Sequence, residues 1–71
     1  MNEKQELKKL GKRIAKLRKQ CGISQDNLAL EAEIGRRTIN RIEVGDSDPQ
    51  FTTLKKISNT LKVKMAELFE D

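Results

Sequence analysis

Apolar residues return every three or four positions along this chain, and almost nowhere every second one. That is the period of a helix buried along one face, and it argues against half-buried strands. Leu7, Leu10, Ile14 and Leu17 draw one stripe down a first helix, which Gly22 stops as a left-handed C-terminal residue. Ser24 reads as the N-cap of a short second helix running through Leu28 and Ala29 to about Ala32, with Gln25 and Asp26 in its first turn. Ile23 and Leu28 stand where a hydrophobic staple would clamp its entry. A third helix is predicted over roughly Arg36 to Glu43, ending before Gly45, and the stretch from Gly45 to Pro49 has loop chemistry. Thr52 or Thr53 is the expected cap of a fourth helix carrying Leu54, Ile57 and Leu61. After Val63 a last turn or two holds Met65, Leu68 and Phe69. The expected architecture is all-α, five short helices and no sheet.

The third helix separates into two faces. With about 100° per residue and Arg36 at zero, Asn40 falls near 40°, Arg37 near 100° and Arg41 near 140°, roughly opposite Ile42 near 240° and Ile39 near 300°. Thr38 and Glu43 flank the isoleucines. Ile39 and Ile42 should therefore hold the helix to a core, while Arg36, Arg37, Asn40 and Arg41 are displayed together. Arginine donates two hydrogen bonds to guanine O6 and N7, and asparagine pairs with adenine N6 and N7, so such a display suits a helix lying in the major groove. An ordinary solvated face would look similar taken alone.

Composition narrows the choice. At 71 residues the chain is near the lower limit for one unstapled core, which predicts a single domain over residues 1–71. Fifteen Lys and Arg against eleven Asp and Glu give a net charge of +4, which favours polyanionic partners. Lys4, Lys8, Lys9, Lys12, Arg13, Lys16, Arg18 and Lys19 crowd the first helix, while Glu67, Glu70 and Asp71 close the tail. A lone cysteine, Cys21, permits no intrachain disulfide and is expected to be buried or half-buried; with no histidine, a Cys/His zinc site is excluded. No metal and no cofactor are expected. Phe51 and Phe69 are the only aromatics, too few for single-strand stacking platforms. No apolar run approaches a membrane span and no signal peptide is evident, so the expected location is cytoplasmic, without a membrane partner. No histidine, glycine-rich phosphate loop or cysteine base partner supports an enzyme.

Residues 24–45, SQDNLALEAEIGRRTINRIEVG, make a helix-turn-helix candidate. They resemble that motif in the Cro/C1-repressor (XRE-like) DNA-binding proteins. The likeness extends to LGKRIAKLRKQ at residues 10–20 and to Pro49, TLKKISNTLKV and AELF downstream, so it covers nearly the whole chain. The resemblance implies a compact five-helix, lambda-repressor-like domain whose helix-turn-helix spans about residues 24–43 and whose third helix enters the major groove of double-stranded DNA. Transferred by position, it makes Arg36, Arg37, Asn40 and Arg41 base or groove contacts, and Gln25, Ser24, Gly35 and Arg18 backbone contacts. It also pairs Arg18 with Glu43 as a structural ion pair at reduced exposure. Residues 45–49 fall where backbone amides approach phosphate in this family, although Asp46 and Asp48 would repel it.

The implied function is a sequence-specific transcriptional regulator binding two half-sites as a small homodimer, without a small-molecule ligand. Leu61, Met65, Leu68 and Phe69, within residues 61–69, are the candidate dimer contact. Four positions depart from the family pattern. Glu33 and Lys62 replace common glycines, Gly35 replaces a Ser or Thr cap, and Lys64 replaces a cap before the last helix. Two other readings stay open: a protein-interaction module with a toxin-like or polymerase partner, and a basic membrane-surface helix over residues 4–19. Within the family, phage-type repressor, restriction–modification controller and plasmid or toxin–antitoxin regulator are equally compatible.

Overall fold

Every α-helix of this chain ends in the same way. The computed structural model describes residues 3–70, and among them lie α1 (Glu3–Gln20), α2 (Gln25–Ala32), α3 (Arg36–Glu43), α4 (Phe51–Leu61) and a 3-10 segment (Met65–Phe69). After each α-helix one residue takes the left-handed conformation: Gly22, Glu33, Gly45 and Lys62, with φ of 73°, 58°, 80° and 60°. The N–H of the next residue then reaches back to a carbonyl five positions earlier: Ile23 to Arg18, Ile34 to Ala29, Asp46 to Arg41 and Val63 to Ser58. This is the Schellman termination, which satisfies otherwise orphaned carbonyls. It also aims the following side chain inward, and Ile23, Ile34 and Val63 all pack against the core. At the end of α3 that position is the exposed Asp46.

The predicted stripes converge. Leu10, Ile14 and Leu17 of α1, Leu28, Ala29 and Ala32 of α2, Ile39 and Ile42 of α3, and Leu54, Ile57 and Leu61 of α4 form one buried cluster completed by Leu68. Helix α1 packs on α3 and on the 3-10 segment, while α2 packs on α3 and α4. Leu7, at the open end of its stripe, is half-buried. No helix among the described residues is long and apolar enough to cross a membrane.

Four expectations need correcting, and Asp71 of the acidic tail lies outside the described residues. Among the described residues there are four α-helices, not five. The left-handed Lys62 turns the chain after α4, leaving Met65–Phe69 too short for more than a 3-10 turn, closed by Glu67 N–H to the Lys64 carbonyl at 2.9 Å. Helix α4 is capped by Gln50, not by Thr52 or Thr53, because the chain leaving Pro49 is already helical at Phe51 and Leu54 N–H bonds the Gln50 carbonyl at 3.1 Å. Cys21 is exposed, since it sits in the turn leaving α1, with its thiol 3.5 Å from the Leu61 carbonyl. Leu61 and Leu68 are not free for a partner, being 2% and 0% exposed inside the core.

Candidate nucleic-acid interface

The surface rests on how α3 is held. Ile39 and Ile42 are buried, and Arg36, Arg37, Asn40 and Arg41 are exposed, so the two faces of α3 divide by burial. From behind, α1 approaches α3 backbone to backbone at Gly11. A Cβ there would lie against the Ile42 carbonyl oxygen and 2.5 Å from that of Glu43. One turn earlier on α1, a Cβ on Gly45 would stand 2.7 Å from the Lys8 Cα. Two glycines thus let the C-terminal end of α3 seat directly on α1. The sequence signal is a glycine inside a helical pattern, which costs helix stability without a packing reason; the apolar period of α1 does not point to it.

Side chains fix the same end. Arg18 grips the Glu43 carboxylate with both prongs, Nε donating to Oε2 at 2.7 Å and Nη2 to Oε1 at 3.1 Å, and its Nη1 donates to the Ile23 carbonyl at 2.9 Å. Both residues are 9% exposed. The bond to Glu43 holds the Arg18 pKa above the ordinary arginine range, against the opposing pull of burial. Three of the five Arg18 N–H donors are thereby engaged inside the protein, so the guanidinium holds Glu43 and the turn after α1 together. Gln25 enters the same cluster, donating from Nε2 to Glu43 Oε1 at 2.9 Å and accepting at Oε1 from Asn40 Nδ2 at 3.4 Å. The sequence reading placed all four residues near the surface or its brace without joining them into one chain of bonds.

The displayed arginines differ in their freedom. Arg36 Nε lies 2.8 Å from Asp26 Oδ1, an exposed pair that water screens. Arg41 reaches the Asp46 carboxylate at 3.7 Å and its carbonyl at 3.4 Å, so Asp46 is turned toward an arginine. Arg37 is exposed and forms no ion pair with another described residue. Ser24 caps α2, its hydroxyl accepting the Asn27 N–H at 3.1 Å. Gly35 is the extended N-cap of α3, exposed and without a side-chain bond. In the 3-10 segment, Met65 is half-buried and Phe69 is 61% exposed. Among the described residues no cluster of His, Cys, Asp and Glu could hold a metal ion.

This arrangement has counterparts. Residues 14–68 match the helix-turn-helix family model HTH_3. The chain is 37% identical over 62 residues to the HTH-type transcriptional regulator SlrR of Bacillus subtilis (strain 168), covering 86% of this chain and 41% of SlrR. It is 33% identical over 64 residues to the control protein C.MunI of Mycoplasma sp, covering 89% of this chain and 86% of that protein. Among solved structures, the restriction-modification controller protein C.AhdI of Aeromonas hydrophila superposes with a TM-score of 0.87 at 30% identity, over 89% of this chain and 96% of its own. An HTH_3 family transcriptional regulator from Vibrio cholerae superposes with a TM-score of 0.89 at 26% identity, over 96% of this chain and 38% of that one.

Proposed function

Because the chain belongs to the HTH_3 (XRE-like) helix-turn-helix family, we propose that it is a sequence-specific, double-stranded DNA-binding transcriptional regulator of the restriction–modification controller type. Helix α3 enters the major groove, and residues 24–43 form the helix-turn-helix of one domain spanning residues 1–71. Arg37, with Arg36, Asn40 and Arg41, makes base or groove contacts; Ser24, Gln25 and Gly35 lie along the phosphate backbone. Two copies act together, because one helix reads only a few base pairs and specificity needs two half-sites about one helical turn apart. In the 3-10 segment, the exposed Phe69 with the half-buried Met65 forms the contact between copies.

One observation carries this reading. The exposed face of α3 holds three arginines and an asparagine, while its opposite face is locked to α1 by Gly11 and by the Arg18–Glu43 pair. Such a helix presents donors to base edges from a rigid platform, which direct readout requires. Likeness to two controller proteins over 86% and 96% of their own lengths supports the regulatory type.

Selection of bound duplexes from a random pool tests the proposal. It should return a two-half-site sequence, and Arg37→Ala should then lose about 1–3 kcal/mol at one base position. An equal loss on every sequence would make Arg37 a phosphate contact. A pool without enrichment would remove the regulator reading.

A further inference from the structure

Resting on that DNA-reading assignment, we infer that Asn40 selects an adenine in the major groove and that Gln25 orients it from behind, through a chain of hydrogen bonds that begins at the buried Arg18–Glu43 pair. The inference follows from donor and acceptor chemistry along that chain. Glu43, gripped by Arg18, presents carboxylate oxygens that accept and do not donate. Gln25 must therefore turn its NH2 to Glu43 Oε1, as it does at 2.9 Å, and this leaves its carbonyl oxygen outward. Reversing the Gln25 amide would set a carbonyl oxygen against the carboxylate. The outward oxygen in turn accepts from Asn40 Nδ2 at 3.4 Å. Reversing the Asn40 amide would again set oxygen against oxygen.

The orientation of Asn40 is thus dictated two residues away. What it presents is one further N–H on Nδ2 and an Oδ1 with no hydrogen-bond partner among the described residues, on an exposed side chain. One donor beside one acceptor matches the N7 acceptor and N6 amino group of adenine, whereas guanine offers two acceptors at the same edge. A freely rotating amide would serve either order of donor and acceptor; this one is set in advance, which lowers the ordering cost of binding. Gln25 acts here as a positioning residue, touching Asn40 and not the base.

The enriched duplex, its variants at every position and a scrambled duplex are titrated with the wild-type chain, Asn40→Ala and Gln25→Leu, each variant's helicity being checked by circular dichroism. Wild type should prefer adenine at one position of the half-site by roughly 5- to 100-fold, and Asn40→Ala should level that position alone. Gln25→Leu should cut the same preference at least about fivefold, over and above the uniform loss on every duplex, the scrambled one included, that its missing phosphate contact brings. A second measurement lies on the DNA side and is indifferent to variant folding. Placing 7-deaza-adenine at that position should weaken wild type and leave Asn40→Ala unaffected. Persistence of the adenine preference in Gln25→Leu, or a uniform loss in Asn40→Ala, overturns the inference while the regulator reading stands. Absence of any enriched duplex overturns both.

Discussion

Glu33 sits at φ 58° and ψ 45°, a conformation that costs a residue with a Cβ about 1–2 kcal/mol. It is also an acidic residue at the negative end of α2, whose last turn carries no compensating base. Glycine would remove both costs, although a more flexible unfolded chain would take back about 0.4–1 kcal/mol. Glu33→Gly should therefore raise stability by a net ~0.5–1 kcal/mol, read as a higher denaturation midpoint with unchanged slope; an unchanged or lower midpoint refutes the strain. Arg18 tests the opposite end of the scale. Removing one member of a buried pair typically costs about 3–5 kcal/mol, because the other charge is left buried, so Arg18→Met should lower the midpoint strongly. Its pKa is raised in the folded state, so the arginine's contribution is complete below the unfolded value and is lost only as pH rises through the folded one. The gap between wild type and Arg18→Met, measured by denaturation, should thus stay level from neutral into the alkaline range.

At the scale of elements, the crossing of α1 and α3 decides where the reading face points. Gly11→Ala would gain about 1 kcal/mol of helix propensity but drive a methyl group into the carbonyls of Ile42 and Glu43. Both are backbone atoms at the end of α3 and cannot swing aside as a flexible side chain does. Overpacking of this kind typically costs about 1–3 kcal/mol, so the clash should win. The expected outcome is a lower denaturation midpoint together with weaker DNA binding, since α3 must move; a midpoint raised by the propensity gain would show that the helices separate freely. The turn between α2 and α3 was legible in the sequence, down to the Ser24 cap and the end of each helix near Ala32 and Glu43. The start of α4 was not, because hydroxyl caps at Thr52 and Thr53 are a local preference that the helical conformation of Phe51 overrode.

At the scale of the molecule, charge and apolar surface are unevenly spread. Lys9, Lys12, Arg13 and Lys16 line a shallow groove on α1 that also meets Glu70, and Arg13 Nε donates to the Glu67 carbonyl at 2.7 Å, tying the 3-10 segment down. That segment then holds Phe69 in the open. If Phe69 joins two copies, Phe69→Asp should weaken self-association at least about tenfold, some 1.4 kcal/mol, in sedimentation at graded concentration. Fold stability should move by no more than about 0.5 kcal/mol, since the side chain is exposed. A wild-type mass independent of concentration would remove the dimer.

By itself the sequence determined the helical class, the buried stripes and the division of α3 into isoleucine and arginine faces. All of these follow from periodicity, which acts within one element. Only the tertiary structure decided which of the named residues are free to act. Arg18 was bound to the Ile23 carbonyl as well as to Glu43, Leu61 and Leu68 were absorbed into the core, and Gln25 was set between Glu43 and Asn40. Those outcomes depend on distances between residues far apart in the chain, and a one-dimensional pattern carries no information about which donor finds which acceptor. Gly11 marks the boundary between the two: its presence is written in the sequence, and its reason is the backbone of another helix.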